Sequence, residues 1–167
     1  MPLNFSELSV LVVDDNDFMR TLYRELLVAF DFHADRIWEA ADGRAAIEEL
    51  SLAPIDVAIC DINMQPMDGI EFTGFVRTNP DSPDAFLPII ICTGYADLTH
   101  VEAARDAGAT EILTKPISPR TLYARLQAVV ERPRPFISAP GYTGPDRRRH
   151  NIPFEGPDRR TSDIELG

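Results

Sequence analysis

At 167 residues with 44% hydrophobic content, the chain can bury one substantial core and carry an appendage. Its formal charge of −11 is uneven: residues 1–131 hold 9 Lys+Arg and 22 Asp+Glu (9 − 22 = −13), and residues 132–167 hold 7 Arg and 5 acids (+2). An acidic body repels nucleic acid, no apolar run approaches bilayer length, and Met1-Pro2-Leu3-Asn4 lacks the basic start of a signal peptide, so a cytoplasmic protein bound to neither nucleic acid nor membrane is expected.

Short apolar runs alternate with amphipathic stretches through residue 131, the signature of an α/β sheet built from crossover units. Residues 10–13 read as a first strand. Residues 17–29 follow with Phe18, Leu22, Leu26 and Ala29 at a helical period. A weaker second strand at 37–40 contains Trp38, which reads as a packing residue. A short helix is predicted at 43–50. Residues 55–60 are apolar except for Asp56, as a central parallel strand should be. The helix at 69–77 stops before Asn79-Pro80, and Pro80 to Asp84 is a loop. A fourth strand is predicted at 87–92, a helix at 98–107 ended by Gly108, and a fifth strand at 110–113. The last helix, 118–131, has Ser118 as its cap and Pro119 in its first position. Five strands and five helices in strict alternation predict a doubly wound parallel sheet with helices on both faces.

The carboxyl ends of parallel strands share one edge, and ligands bind there. Asp14 and Asp15 follow the first strand, Asp61 the third, Thr93 the fourth and Lys115 the fifth. Lys115 is the only lysine in the chain. Three carboxylates, a hydroxyl and an ammonium at one edge suit a divalent cation beside a phosphoryl group. Asp17 reads as a helix-start acid, favourable at the positive end of the helix dipole.

Asp14-Asp15, Asp61, Thr93 and Lys115-Pro116, with Pro66-Met67-Asp68-Gly69 between them, resemble the receiver domain of bacterial two-component response regulators over about residues 5–131. The resemblance implies a flavodoxin-like strand order 2-1-3-4-5, with the site at the switch between strands 1 and 3. It implies Asp61 as phosphoacceptor, with Thr93 and Lys115 contacting the phosphoryl group. Mg2+ would be held by Asp14, Asp15, Asp61 and the backbone carbonyl of Asn63, and the peptide to Pro116 would be cis. It implies a non-enzymatic signalling protein, with self-catalysed phosphotransfer and dephosphorylation that are only slow. Its partners would be a histidine kinase or histidine phosphotransfer protein and a downstream protein target.

One position departs from the family pattern. Many receivers carry an aromatic three residues before the lysine, and here that residue is Ile112, which has no ring to swing inward. Tyr95, two residues after Thr93, is the alternative aromatic, so Thr93, Tyr95 and Ile112 are the expected switch positions. His33, His100 and His150 match no metal spacing. Cys60 and Cys92 lie in apolar runs on adjacent predicted strands and read as reduced core thiols, with a disulfide as the minor alternative.

Residues 132–167 form a predicted Pro/Arg-rich tail, separate from the receiver at 1–131, with no output domain. No helical or alternating period persists there. Gly144-Pro145-Asp146-Arg147-Arg148 repeats as Gly156-Pro157-Asp158-Arg159-Arg160, each copy preceded by Pro-Phe (135–136 and 153–154). The composition alone reads as disordered, while the repeat argues for docking on acidic surface. Two rival functions stand beside the response regulator. A haloacid-dehalogenase-type phosphohydrolase requires Asp-x-Asp after its first strand, and here the third residue is Asn16. A receiver-like scaffold that is never phosphorylated is the other.

Overall fold

The structure is a computed structural model that describes residues 5–94, 98–131, 133, 135–139 and 141–146. Its body runs β1 (Val10–Val13), α1 (Asp17–Ala29), β2 (Ile37–Ala40), α2 (Gly43–Leu52), β3 (Val57–Asp61), α3 (Gly69–Thr78), β4 (Ile89–Thr93), α4 (Leu98–Ala107), β5 (Glu111–Thr114) and α5 (Pro119–Glu131). All five strands pair in parallel, in the order β2-β1-β3-β4-β5. The order reverses between β1 and β3, where the loops after these two strands part toward opposite faces and open a crevice.

Strand residues point alternately to the two faces of the sheet, and the chain fills both with apolar side chains. Val10, Val12, Val57, Ile59, Ile90 and Cys92 face Tyr23 and Leu27 of α1 and Leu122, Leu126 and Val129 of α5. Leu11, Val13, Ala58, Cys60, Ile89 and Ile91 face Ala46 of α2, Phe72 and Val76 of α3 and Ala104 of α4. Trp38 is half-buried and packs on this second layer. Cys60 and Cys92 are therefore on adjacent strands but on opposite faces of the sheet, and both are free thiols.

Local chemistry fixes where the helices begin. Asn16 caps α1 by accepting the Met19 N–H, and Asp42 caps α2 by accepting from Arg44 and Ala45. Asp68 and Glu71 form a reciprocal capping box at the start of α3, satisfying two backbone donors that the helix itself cannot. Strands β3 and β4 each end one residue later than the apolar runs suggest, because the ladder carries Asp61 opposite Cys92. Asp61 and Thr93 are thus the last residues of regular strands.

Beyond α5, β6 (Phe136–Ala139) and β7 (Tyr142–Pro145) form an antiparallel hairpin, with Phe136 opposite Pro145 and Ala139 opposite Tyr142. Gly141, at φ +85°, makes the turn. The hairpin packs against α3 and α4. Arg147, Arg148 and the second copy of the repeat lie outside the described residues. Among the described residues no helix is long and apolar enough to cross a membrane.

Candidate functional site

Asp14, Asp15, Asp61, Thr93 and Lys115 stand at or just past the carboxyl ends of β1, β3, β4 and β5. Oxygens of Asp14, Asp15 and Asp61 all lie within 4.8 Å of one another. The Lys115 ammonium meets Asp61 Oδ1 at 2.7 Å. Its backbone N–H donates to the Thr93 carbonyl at 2.8 Å, which ties the lysine to the end of β4. The Lys115–Pro116 peptide is cis, as is Gln65–Pro66 in the loop after β3. Thr93 is buried, and Asn63 is exposed on the loop two residues past Asp61.

The three acids differ in setting. Asp14 is 1% exposed. Its Oδ1 accepts the Asn16 N–H at 2.9 Å, while its Oδ2 is buried with no hydrogen-bond partner. Burial pushes the Asp14 carboxyl above the usual carboxylate range; the Asn16 bond opposes this and the neighbouring Asp61 adds to it. A buried carboxylate oxygen without a donor, facing two further carboxylates, is a costly arrangement. It fits a hard divalent cation, which takes oxygen ligands and offsets their mutual repulsion. For Lys115, burial pushes the ammonium down, but its hydrogen bond to Asp61 and the charges of Asp61 and Asp14 outweigh that and raise it overall.

One residue of this arrangement escapes sequence reading. Arg20, one turn into α1, donates to the Asp14 carbonyl at 2.6 Å and to Glu39 of β2 at 3.1 Å, and pairs with Asp17. Arg24 binds the other oxygen of Glu39 at 2.8 Å. Arg20 thereby fixes the backbone that carries Asp14 and Asp15. The available signal was an arginine three residues after Asp17, a common surface spacing on a helix. Asp17 itself is 91% exposed and belongs to this pairing; it is not among the clustered acids.

Gly69 closes the loop after β3. Its N–H donates to the Ile62 carbonyl at 2.9 Å, and a Cβ built on it collides with the carbonyl oxygen of Asp61. Backbone atoms cannot yield as a flexible side chain does. Gly69→Ala is therefore expected to cost about 3 kcal/mol, seen as a melting temperature lower by about 10 °C. An unchanged melting temperature would show that the close approach of Gly69 to β3 is not required.

Ile112 sits on β5, packed partly buried against the α2–α4 layer, and its carbonyl accepts from Arg125 at 3.2 Å. Tyr95 lies outside the described residues.

An acidic triad and a lysine thus stand at the switch point of a five-stranded doubly wound sheet, and comparison with known proteins shows the family. The family model of the response regulator receiver domain matches residues 10–127, and the chain belongs to that family. It is a receiver domain of two-component signalling. A probable chemotaxis protein CheY of Rhizobium etli is 35% identical over 123 residues, which cover 74% of this chain and 92% of that protein. Chemotaxis protein CheY4 of Vibrio cholerae superposes with a TM-score of 0.66 at 35% identity, covering 73% of this chain and 98% of that one. A chain of the CheX–CheY–BeF3–Mg2+ complex of Borrelia burgdorferi superposes with a TM-score of 0.65 at 25% identity, covering 74% and 89%.

Proposed function

We propose that this chain is a phosphoacceptor response regulator, loaded on Asp61 by a histidine kinase or a histidine phosphotransfer protein. It signals through contact with a downstream protein in the cytoplasm, with residues 1–131 as the receiver unit and residues 132–167 as its appendage. The observation that carries this reading is the placement of Asp61. Its carboxylate lies between the Lys115 ammonium at 2.7 Å and the acids Asp14 and Asp15, at the open edge of the sheet.

An Asp61 carboxylate oxygen attacks the phosphorus of a phosphohistidine. A P–O bond forms and the P–N bond breaks, its electron pair leaving with the histidine nitrogen. The product is a mixed carboxylic–phosphoric anhydride. Lys115, kept protonated by its acidic neighbours, follows the negative charge onto the phosphoryl oxygens. Thr93, at the end of β4, donates its hydroxyl to the same group. Asp14, Asp15, Asp61 and the Asn63 carbonyl would hold Mg2+. When bound, that ion neutralises charge on the carboxylates and on the incoming phosphoryl oxygens. The Borrelia complex contains Mg2+ together with BeF3, which supports Mg2+ as the ion. Attack of water on the phosphorus later breaks the P–O bond to Asp61, releasing inorganic phosphate and restoring the carboxylate. No dedicated general base lies among the residues assigned here, so this return is slow.

Incubation with a small phosphodonor and Mg2+, followed by intact-mass measurement, tests the reading. A stable gain of one phosphoryl group per chain is expected. Rapid multiple turnover of the donor without an adduct would indicate a phosphohydrolase instead. No reaction at all would indicate a scaffold.

A further inference from the structure

The β6–β7 hairpin is seated on a built surface where α3 and α4 end, away from Asp61. At its centre is Arg77, the penultimate residue of α3, which is 2% exposed. Its guanidinium donates to the carbonyls of Gly108 at 2.9 Å and Ala85 at 3.0 Å, and to Thr110 Oγ1 at 3.3 Å. Phe136 of β6 covers the guanidinium at 4.9 Å and packs on the Phe86 ring at 4.9 Å. Removing the hairpin would uncover a buried cation and further bare the half-exposed Phe86 ring.

The seat also bears on α4. This helix begins five residues after Thr93 and ends at Gly108, whose φ is +107°. A Cβ on Gly144 would come within 2.9 Å of the Gly108 Cα, and one on Gly108 within 2.7 Å of the Thr143 carbonyl. Strand β7 touches α3 and α4 together. Its end is held by Asp146, which is buried and whose N–H donates to the Pro135 carbonyl at 2.7 Å. A ten-residue helix is a rod about 15 Å long. A displacement carried along this rod reaches the end under the hairpin, where Gly108 lies close against Gly144 and Thr143.

We propose that the hairpin is an intramolecular strap that locks α4 to α3 and opposes loading of the aspartate site. Seating and loading then disfavour one another. This rests on the phosphoacceptor reading given above. The sense of the coupling follows from the close approach of Gly144 and Thr143 to Gly108, which leaves the seated end of α4 little room to move. Coupling between two sites is reciprocal, so loading must loosen the hairpin as much as the hairpin hinders loading. The first Gly-Pro-Asp of the repeat acquires a role in this way. Gly144, Pro145 and Asp146 are all buried against the body and serve as the buckle of the strap.

The test uses the full chain titrated with BeF3− at saturating Mg2+, with amide exchange of residues 136–145 as the measure of seating. Gly144→Ala places a methyl against Gly108 and unseats the hairpin. Phe136→Ala does so independently by uncovering Arg77. Gly74→Ala is the control, since a Cβ there meets nothing within 4 Å. Half-saturation is expected at about fivefold less BeF3− in both strap variants and unchanged in the control. In the unaltered chain, loading should accelerate exchange at 136–145 by a similar factor. A variant whose hairpin amides stay protected must load like the unaltered chain. A variant that is unseated and still loads equally, or loads less well, overturns the strap while leaving the phosphoacceptor reading intact. If BeF3− loads no version of the chain, the phosphoacceptor reading fails and the strap falls with it.

Discussion

Asp61→Asn is expected to abolish phosphoryl uptake from a small donor, leaving no adduct in the intact mass under conditions that should load the unaltered chain. The substitution keeps the shape of the side chain and exchanges one oxygen for an amide nitrogen, which cannot attack phosphorus. The fold survives because the gains and losses are small and opposed. The exchange removes one of three clustered negative charges, and it deprives Lys115 of its partner at 2.7 Å. Lys115 is 29% exposed and can turn to water, so the change in stability should stay within about 1 kcal/mol. An adduct on the Asp61→Asn variant would move the acceptor to another residue, and peptide mapping would then find it.

Mg2+ is expected to stabilise the protein, with Asp15 carrying most of that effect. A ligand that binds only the native state adds about 2.7 kcal/mol at a hundredfold excess over its dissociation constant, or about 5 to 10 °C in melting temperature for a chain of this size. Asp15→Ala should lose most of this gain. Asp17→Ala should keep it, since Asp17 pairs with Arg20 and is not among the clustered acids. Asp14→Asn separates two effects. Because the folded-state pKa of Asp14 is raised, folding disfavours its anion. That penalty is fully present above the folded pKa, shrinks as the pH falls, and vanishes below the unfolded value near 3.8. At neutral pH without divalent ions, Asp14→Asn should therefore melt higher than the unaltered chain, and its Mg2+-induced gain should be smaller. Equal Mg2+-induced shifts in Asp15→Ala and the unaltered chain would remove Asp15 from the ligand set.

The site was legible because parallel topology converts sequence position into spatial position. Each of Asp14, Asp61, Thr93 and Lys115 follows an apolar run, and all strands of a parallel sheet end on the same edge. Asp61 and Thr93 are strand residues instead of loop residues, since apolarity stops before the hydrogen-bond ladder does. Arg20 was not legible. Its reach to the Asp14 carbonyl depends on how α1 lies across β1, which a pairing with Asp17 at i,i+3 does not reveal. The hairpin was hidden for a different reason. Its strands are four residues long and contain Ser138, Thr143, Gly144 and Pro145, so alternation never builds up. What stabilises it is tertiary: Phe136 on Arg77 and Phe86, and Gly144 on Gly108. None of these pairs is close in sequence.

The two thiols on opposite faces of the sheet make the protein its own reporter of partial unfolding. Burial pushes the Cys92 thiol up to about 12 and Cys60 well above its ordinary value, so neither reacts while its layer is closed. A small thiol reagent modifies each cysteine only when the helices over it lift away. Cys92 reports on the α1–α5 side and Cys60 on the α2–α4 side. Equal trapping rates would mean that the molecule opens as a single cooperative unit. Unequal rates would show that one helical layer detaches from the sheet while the other stays in place.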